Sequence, residues 1–294
     1  MRINLSARPP FSLASVIQSH GWAKLAPYDL DAESGELSYV YRLDTGRVVD
    51  LHISETSNGV KVDLSEQINE GEKTEISQTV NWMLGLDQDF SAFYKLAREE
   101  PKLKHVVEKA QGRLLRSPTL FEDVIKTILT TNTTWGGTIR MTEALVSQFG
   151  DRLPGESARY AFPTPEALAA SDEETLRGTT RLGYRSPYII NLAQEITSGN
   201  LDLESLKNSE LPVDKLRKEL LSIKGVGNYA AANLLMLLCH YNYLAIDSWA
   251  LKMVSHEWYD DAPVNAKEVE AAFQDWGEWK GLAYWLWDWS YVSD

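Results

Sequence analysis

Leu220-Leu-Ser-Ile-Lys-Gly-Val-Gly-Asn-Tyr229, followed by an apolar run and then Ala245-Ile-Asp247-Ser-Trp249, is the stretch on which the reading of this chain turns. Two helix-compatible segments, Val213–Ser222 and 228–240, flank Ile223-Lys-Gly-Val-Gly227, whose glycines permit positive φ and close backbone approach. This spacing predicts a helix-hairpin-helix over 213–240. Backbone N–H groups of Lys224, Gly225, Val226 and Gly227, gathered at the N-terminus of the second helix, would form a concave nest that suits a phosphate oxygen and reads no base. Asp247 lies twenty residues beyond Gly227, after an apolar helix over 230–239 and the polar turn His240-Tyr-Asn-Tyr243, which brings it back near the hairpin. Two roles are open to it: an N-cap for a following helix over 248–256, or a catalytic carboxylate.

The surrounding chain sets the class. Its 294 residues, 44% of them hydrophobic, suffice for a large core divided into at least two lobes. No N-terminal charged-then-apolar signal is present and no apolar run reaches bilayer length, so a cytoplasmic, nucleoid-associated protein with no membrane partner is expected. The formal net charge of −13 argues against a nucleic-acid partner until the charges are located. Residues 29–100 hold 16 acidic against 6 basic side chains and 255–294 hold 9 against 2, whereas 102–140 hold 7 basic against 3 acidic and 213–228 hold 4 against 2. Cationic segments therefore coincide with the hairpin and with the middle of the chain, as an electrostatic footprint would.

The runs 37–43, 47–53 and 59–64 are β-rich with partial alternation and are separated by Asp44-Thr-Gly46 and Ser57-Asn-Gly59, which predicts an antiparallel meander. From Thr74 onward apolar residues recur at helical spacing, with stops at Pro101, Ser117-Pro118, Pro154-Gly155 and Pro163 to Pro165. The expected fold is mainly α with a small α+β N-terminal lobe over 1–100 and a helical body over 101–294. The one cysteine, Cys239, cannot pair internally or supply the four thiolates of an iron–sulfur cluster, and reads as a small buried hydrophobe on an apolar helix. The five histidines show no ligand spacing for zinc or iron.

In Phe121-Glu-Asp-Val-Ile-Lys-Thr-Ile-Leu-Thr-Thr-Asn132, Phe162-Pro-Thr-Pro-Glu-Ala-Leu168, Leu182-Gly-Tyr-Arg-Ser-Pro-Tyr188, the hairpin and Asp247, the chain resembles the helix-hairpin-helix DNA glycosylases. These are the base-excision enzymes that act on 3-methyladenine, 8-oxoguanine and related lesions. The resemblance spans roughly residues 117–254 and is nearest in motif to the 8-oxoguanine branch. It implies that architecture, with an antiparallel sheet at the N-terminus and the active site between helical lobes, and double-stranded DNA carrying a damaged base as the partner of a monomer.

Base excision from a duplex demands extrusion of the nucleotide, filling of the gap and stabilisation of positive charge on the sugar. The resemblance assigns gap filling to Asn132, the wedge and a reader of the opposite base to Tyr184 and Arg185, and stabilisation of an oxocarbenium-like sugar to Asp247. Their structural alternatives are a helix C-cap for Asn132 and a helix-start surface pair for Tyr184 and Arg185. Tyr229 departs from the bifunctional members, which carry there a lysine that attacks the sugar. Tyrosine cannot do so, which predicts a monofunctional, water-dependent enzyme, while Lys224, offset from that position, meets phosphate. Gly137 stands where 8-oxoguanine enzymes place a second arginine, and Trp249 replaces a histidine. A monofunctional site lined by aromatics favours alkylated purines, which are cationic. The resemblance also implies that carbonyls of Leu221, Ile223 and Val226 hold Na⁺ or K⁺ against a DNA phosphate, with no other cofactor. Of Trp276, Trp279, Trp285, Trp287 and Trp289, one is expected to sandwich the extruded base and the others to pack in the core. Two rivals remain: a glycosylase-lyase using a displaced lysine such as Lys224, and a DNA-binding module without chemistry.

Overall fold

The computed structural model describes residues 1–290. Contacts group the chain into two compact units, Met1–Gln88 with Arg113–Asn208, and Asp89–Gly112 with the chain from Ser209 onward.

The first unit carries one antiparallel sheet of β1 (Arg2–Ser6), β2 (Tyr28–Leu30), β3 (Leu37–Arg42), β4 (Val48–Thr56) and β5 (Gly59–Asp63), in spatial order β1-β5-β4-β3-β2. The predicted meander is β3-β4-β5, with Tyr39 opposite Leu51 and Ile53 opposite Val62. The edge strands β1 and β2 are additional to it. At five and three residues they are too short to display alternation, and β1 pairs with the sequence-distant β5. At the β4–β5 turn Gly59 has φ 150°, and a Cβ there would run into the Leu5 carbonyl of β1. The following helix, Glu70–Leu84, starts earlier than Thr74 because Asn69 and Glu72 form a capping box, with Glu72 also paired to Arg47 at 2.8 Å.

The helix Leu120–Thr130 is buried on every side, from Leu120 to Leu129, although three of those residues are charged. Each charge has a local answer. Lys126 Nζ lies 2.6 Å from Glu122 and 4.9 Å from the Tyr28 ring centre, Tyr39 donates to Glu122 at 2.6 Å, and Asp123 accepts from Trp22 Nε1 at 2.7 Å and Ser117 N at 3.0 Å. Arg113 and Arg116 are buried as well. Arg113 donates to the carbonyls of Arg8, Pro10, Gly85 and Gln88, and Arg116 stacks on Trp82 at 4.2 Å. Three of the seven cations in 102–140 are therefore interior groups, and only the remainder can contribute to a surface footprint.

In the second unit the hairpin helices, Val213–Ser222 and Asn228–Leu237, are joined by the turn and followed by helices Ser248–Trp258, Ala266–Ala272 and Lys280–Leu286. Phe90, Phe93, Tyr241, Trp276 and Trp279 pack together, with Tyr241 stacked on Trp279 at 5.4 Å, while Trp258, Phe273 and Trp287 form a neighbouring aromatic cluster. Cys239 departs from expectation. The apolar helix stops at Leu237, and Cys239 takes φ 67° just past its end, where the side chain is exposed. Among the described residues no helix is long and apolar enough to cross a membrane.

Candidate active site

The hairpin turn is fixed from below and open above. Ile223 and Val226 are each 6% exposed and anchor it, Ile223 N–H donates to Leu220 O at 3.2 Å, and Val226 N–H donates to Ile223 O at 3.0 Å. Gly225 sits at φ 92°, which only glycine adopts without strain, and this reverses the chain between two helices. Gly227 caps the second helix without a side chain, so the first N–H groups of that helix point outward unclaimed by a cap. Arg217 of the first helix donates to Asn228 Oδ1 at 2.8 Å and lies over the Tyr243 ring at 4.7 Å, tying the two helices together beside the turn. Lys224 is exposed at the tip. Among the described residues the carbonyls of Leu221 and Val226 accept no backbone hydrogen bond from outside the helices, and that of Ile223 accepts one from Val226 N–H. Among the described residues no group of three or more His, Cys, Asp or Glu is arranged to hold a metal.

Asp247 does act as the N-cap of Ser248–Trp258, accepting from Ala250 N at 2.8 Å through Oδ1. That bond uses one carboxylate oxygen. The other accepts no hydrogen bond among the described residues, and the helix N-terminus favours the negative charge. Tyr229, the second residue of the hairpin's second helix, is half-buried, and burial followed by the charge of Asp247 pushes its phenol above the ordinary tyrosine range. The structure thus brings Tyr229, Asp247 and the turn into one neighbourhood.

It also adds Tyr284, a residue that the motifs do not mark. Gly281 N–H donates to Tyr241 O at 2.7 Å, and a side chain at Gly281 would collide with the carbonyls of Tyr241 and Tyr243, so the helix Lys280–Leu286 approaches that loop at close range. Tyr284, one turn later, is buried, and its phenol is raised by burial and then by the charges of Asp247 and Tyr229. Trp289 lies 6.2 Å from Tyr284 and 5.5 Å from Trp249, which is 43% exposed beside Asp247. Of the C-terminal tryptophans, Trp276, Trp279 and Trp287 belong to the core clusters, and Trp289 packs against Trp258, Phe273 and Trp287 while also touching Tyr284 and Trp249.

The remaining predicted residues meet in the first unit. Asn132 has φ 48°, immediately past the end of Leu120–Thr130, and its Nδ2 donates to Tyr184 Oη at 3.3 Å. Arg185 is 6% exposed, so it is not a surface residue. Its guanidinium stacks on Tyr184 at 4.5 Å and donates to the carbonyls of Thr131 and Asn132, holding the turn that displays Asn132. Tyr184 is 47% exposed. Gly137 has a local cause, since a Cβ there would strike Thr133 Oγ1.

A five-stranded antiparallel sheet in one unit, and a helical second unit holding a glycine hairpin with a carboxylate after its second helix, define a helix-hairpin-helix fold. The family described as HhH-GPD superfamily base excision DNA repair protein matches residues 125–279, and the chain belongs to it. DNA-3-methyladenine glycosylase of Bacillus subtilis (strain 168) is 28% identical over 174 residues, which make up 58% of this chain and 57% of that protein. The chain therefore spans little more than half the length of this relative. The fold is shared with a 3-methyladenine DNA-glycosylase from Archaeoglobus fulgidus, at TM-score 0.76 and 21% identity over 97% of this chain and 96% of the other. It is likewise shared with an 8-oxoguanine glycosylase/lyase of Clostridium acetobutylicum, at TM-score 0.70 and 21% identity over 93% of both chains.

Proposed function

We propose that this protein is a monofunctional DNA glycosylase that hydrolyses the N-glycosidic bond of an alkylated purine in double-stranded DNA. The observation that carries the reading is Tyr229: the position beside Asp247 at the head of the hairpin's second helix holds a phenol, which forms no Schiff base with a sugar. Asp247 stabilises the oxocarbenium-like sugar through its uncapped oxygen and orients water to the anomeric carbon. The N–H groups of Gly225 and Gly227 donate to a DNA phosphate at the turn that Val226 anchors through its bond to Ile223 O, with Lys224 adding charge. Na⁺ or K⁺ held by the carbonyls of Leu221, Ile223 and Val226 would neutralise part of that phosphate's charge. Asn132 fills the space left in the duplex, Tyr184 wedges beside it, and Arg185, whose Nε has no hydrogen-bond partner among the described residues, reads the unpaired base. The name of the Bacillus subtilis relative supports an alkylated purine.

The test is release of base from duplexes carrying 7-methylguanine, 3-methyladenine, hypoxanthine or 8-oxoguanine, scored as strand cleavage with and without hot alkali. Cleavage only after alkali is expected. Cleavage without alkali, or covalent trapping by borohydride, overturns the monofunctional reading in favour of a displaced lysine. No release from any duplex leaves a binding module.

A further inference from the structure

Trp135 is 38% exposed, and with Tyr184 it supplies the exposed aromatic surface of the first unit. It is not a loose side chain. Thr134 caps the helix Trp135–Phe149 through Gly137 N–H at 3.3 Å, which fixes the backbone at the indole. One side of the ring lies against the backbone of Gly21, where a Cβ would overlap Cζ2 and Cη2 of the indole. Gly21 is itself held, because both neighbours are anchored: a ring nitrogen of His20 lies 2.6 Å from Leu115 O, and Trp22 Nε1 donates to Asp123 at 2.7 Å. Gly21 is not among the positive-φ glycines, so what its missing side chain supplies is room for the ring. Among the described residues no other aromatic ring or cation packs on Trp135. The chain thus seats one end of a large indole firmly and leaves the rest of it open.

Its neighbours say what the open ring can meet. Asn132 lies three residues earlier, in the link between two helices, and donates to Tyr184 Oη at 3.3 Å, so a polar plug and two aromatic surfaces are displayed together on the first unit. In the proposed reaction the damaged nucleotide goes to Asp247, which belongs to the second unit, and what remains beside the plug is the base that has lost its partner. Arg185 has Nε to offer that base, while its Nη2 is given to the carbonyls of Thr131 and Asn132, and Gly137 has no side chain to add. A hydrogen bond at one edge leaves the faces of the base unstacked, and an aromatic ring restores that contact for any base. We propose that Trp135 stacks on the unpaired base opposite the lesion and so holds the duplex open around Asn132. The inference rests on the glycosylase reading and deepens it by giving the first unit a second DNA contact, one that forms and breaks no covalent bond.

The experiment measures affinity for two duplexes, one with an abasic site opposite a normal base and one in which that opposite base is removed as well. The proteins are the parent, Trp135→Ala, Trp135→Leu, Trp135→Phe and Gly21→Ala, with thermal melting recorded for each. Trp135→Ala should weaken binding to the first duplex by about 10-fold. Phenylalanine should recover most of the loss, and leucine, which fills the seat without an aromatic face, should not. Gly21→Ala, which pushes the ring from its seat while keeping the indole in the chain, should weaken binding in the same direction. On the second duplex the parent and Trp135→Ala should bind alike. Unchanged affinity in Trp135→Ala, full recovery by leucine, or a loss that persists when the opposite base is absent overturns the assignment. Base release by the parent is scored separately on the lesion duplexes: its absence overturns the glycosylase reading, while the abasic-duplex comparison still decides the contact made by Trp135.

Discussion

The cations of 102–140 and those of 213–228 look alike in the sequence, as basic clusters in an acidic chain, and the structure treats them oppositely. In the first, Arg113, Arg116 and Lys126 are interior groups with 3%, 3% and 0% exposure, held by carbonyls, an indole and Glu122. In the second, Lys215, Lys218 and Lys224 are exposed, and Leu216 and Leu220 carry the burial of their helix. A positive residue count thus says nothing about a positive surface until the apolar periodicity around it is read. Lys126 sits in a helix whose residues from Leu120 to Leu129 are all interior, whereas the hairpin's first helix keeps one apolar stripe and leaves its lysines outside it.

Removing a cation should therefore have opposite consequences in the two regions. Lys126→Ala leaves Glu122 in the interior with the Tyr39 hydroxyl as its hydrogen-bond donor. Breaking a buried pair from one side costs about 3–5 kcal/mol, a large part of the roughly 5–15 kcal/mol that holds a domain folded. A fall of that size in urea-unfolding stability is expected, and a change under about 1 kcal/mol would mean that the pair is solvated in solution.

The next largest effect separates the two roles of Asp247. Asn caps a helix as well as Asp does, so Asp247→Asn preserves the bond to Ala250 N while removing the charge. Base release should fall by about 10²–10³-fold with melting and abasic-DNA affinity little changed. Loss of folding together with activity would instead make the carboxylate chiefly a cap.

The interior of the first unit also predicts a cancelled pH response. His20 is buried with Nε2 2.6 Å from Leu115 O, and burial, partly opposed by that hydrogen bond and aided by the Lys126 charge, lowers it to about 4 from 6.5. Its contribution to stability is complete above 6.5 and is lost as pH falls toward 4, because the unfolded chain takes up the proton first. Asp123 is raised by burial to about 6 from 3.8, against the hydrogen bonds from Trp22 and Ser117 and with the help of Glu122. Its penalty is present above 6 and is relieved as pH falls toward 4. The two slopes oppose each other over that window. Asp123→Asn should make melting fall more steeply on acidification than in the parent, and His20→Gln should make it fall less; parallel curves for all three proteins would place both groups in contact with solvent.

How much of this was legible follows from the range of the interactions. The meander was readable because alternation and turn residues are local, and the hairpin because Gly225 and Gly227 bracket one residue at a turn. Asn132, Tyr184 and Arg185 were named from motif, and the structure brings the three together by hydrogen bond and stacking. Burial of Arg113 was not readable, since the carbonyls that receive it belong to residues as distant as Arg8 and Pro10. Tyr284 was not readable for a related reason: its helix meets the Tyr241–Tyr243 loop some forty residues back along the chain. The five tryptophans around it drew attention to side chains most of which serve the core. The one nearby signal was Gly281, a residue without a side chain inside an aromatic-rich helix, which permits the close approach.

The smallest effect gives the sharpest contrast between the two basic regions. Lys224 is exposed at the hairpin tip, and its removal exposes no buried charge, so Lys224→Ala should leave folding stability within about 0.5 kcal/mol of the parent. Its loss should appear in the salt dependence of DNA binding. Each phosphate neutralised by a lysine releases counterions, so log affinity against log salt should become shallower by about 0.9 in the variant, and the parent's advantage should shrink as salt rises. The backbone N–H groups of the turn remain in place and are neutral, so a residual, less salt-sensitive grip should persist. Lys126, being interior, has no such signature: at a temperature where Lys126→Ala is still folded, its salt slope should equal the parent's. An unchanged slope for Lys224→Ala would assign phosphate recognition at the hairpin to the peptide dipoles alone, and the exposed lysines of 213–228 would then be a solvated helix face.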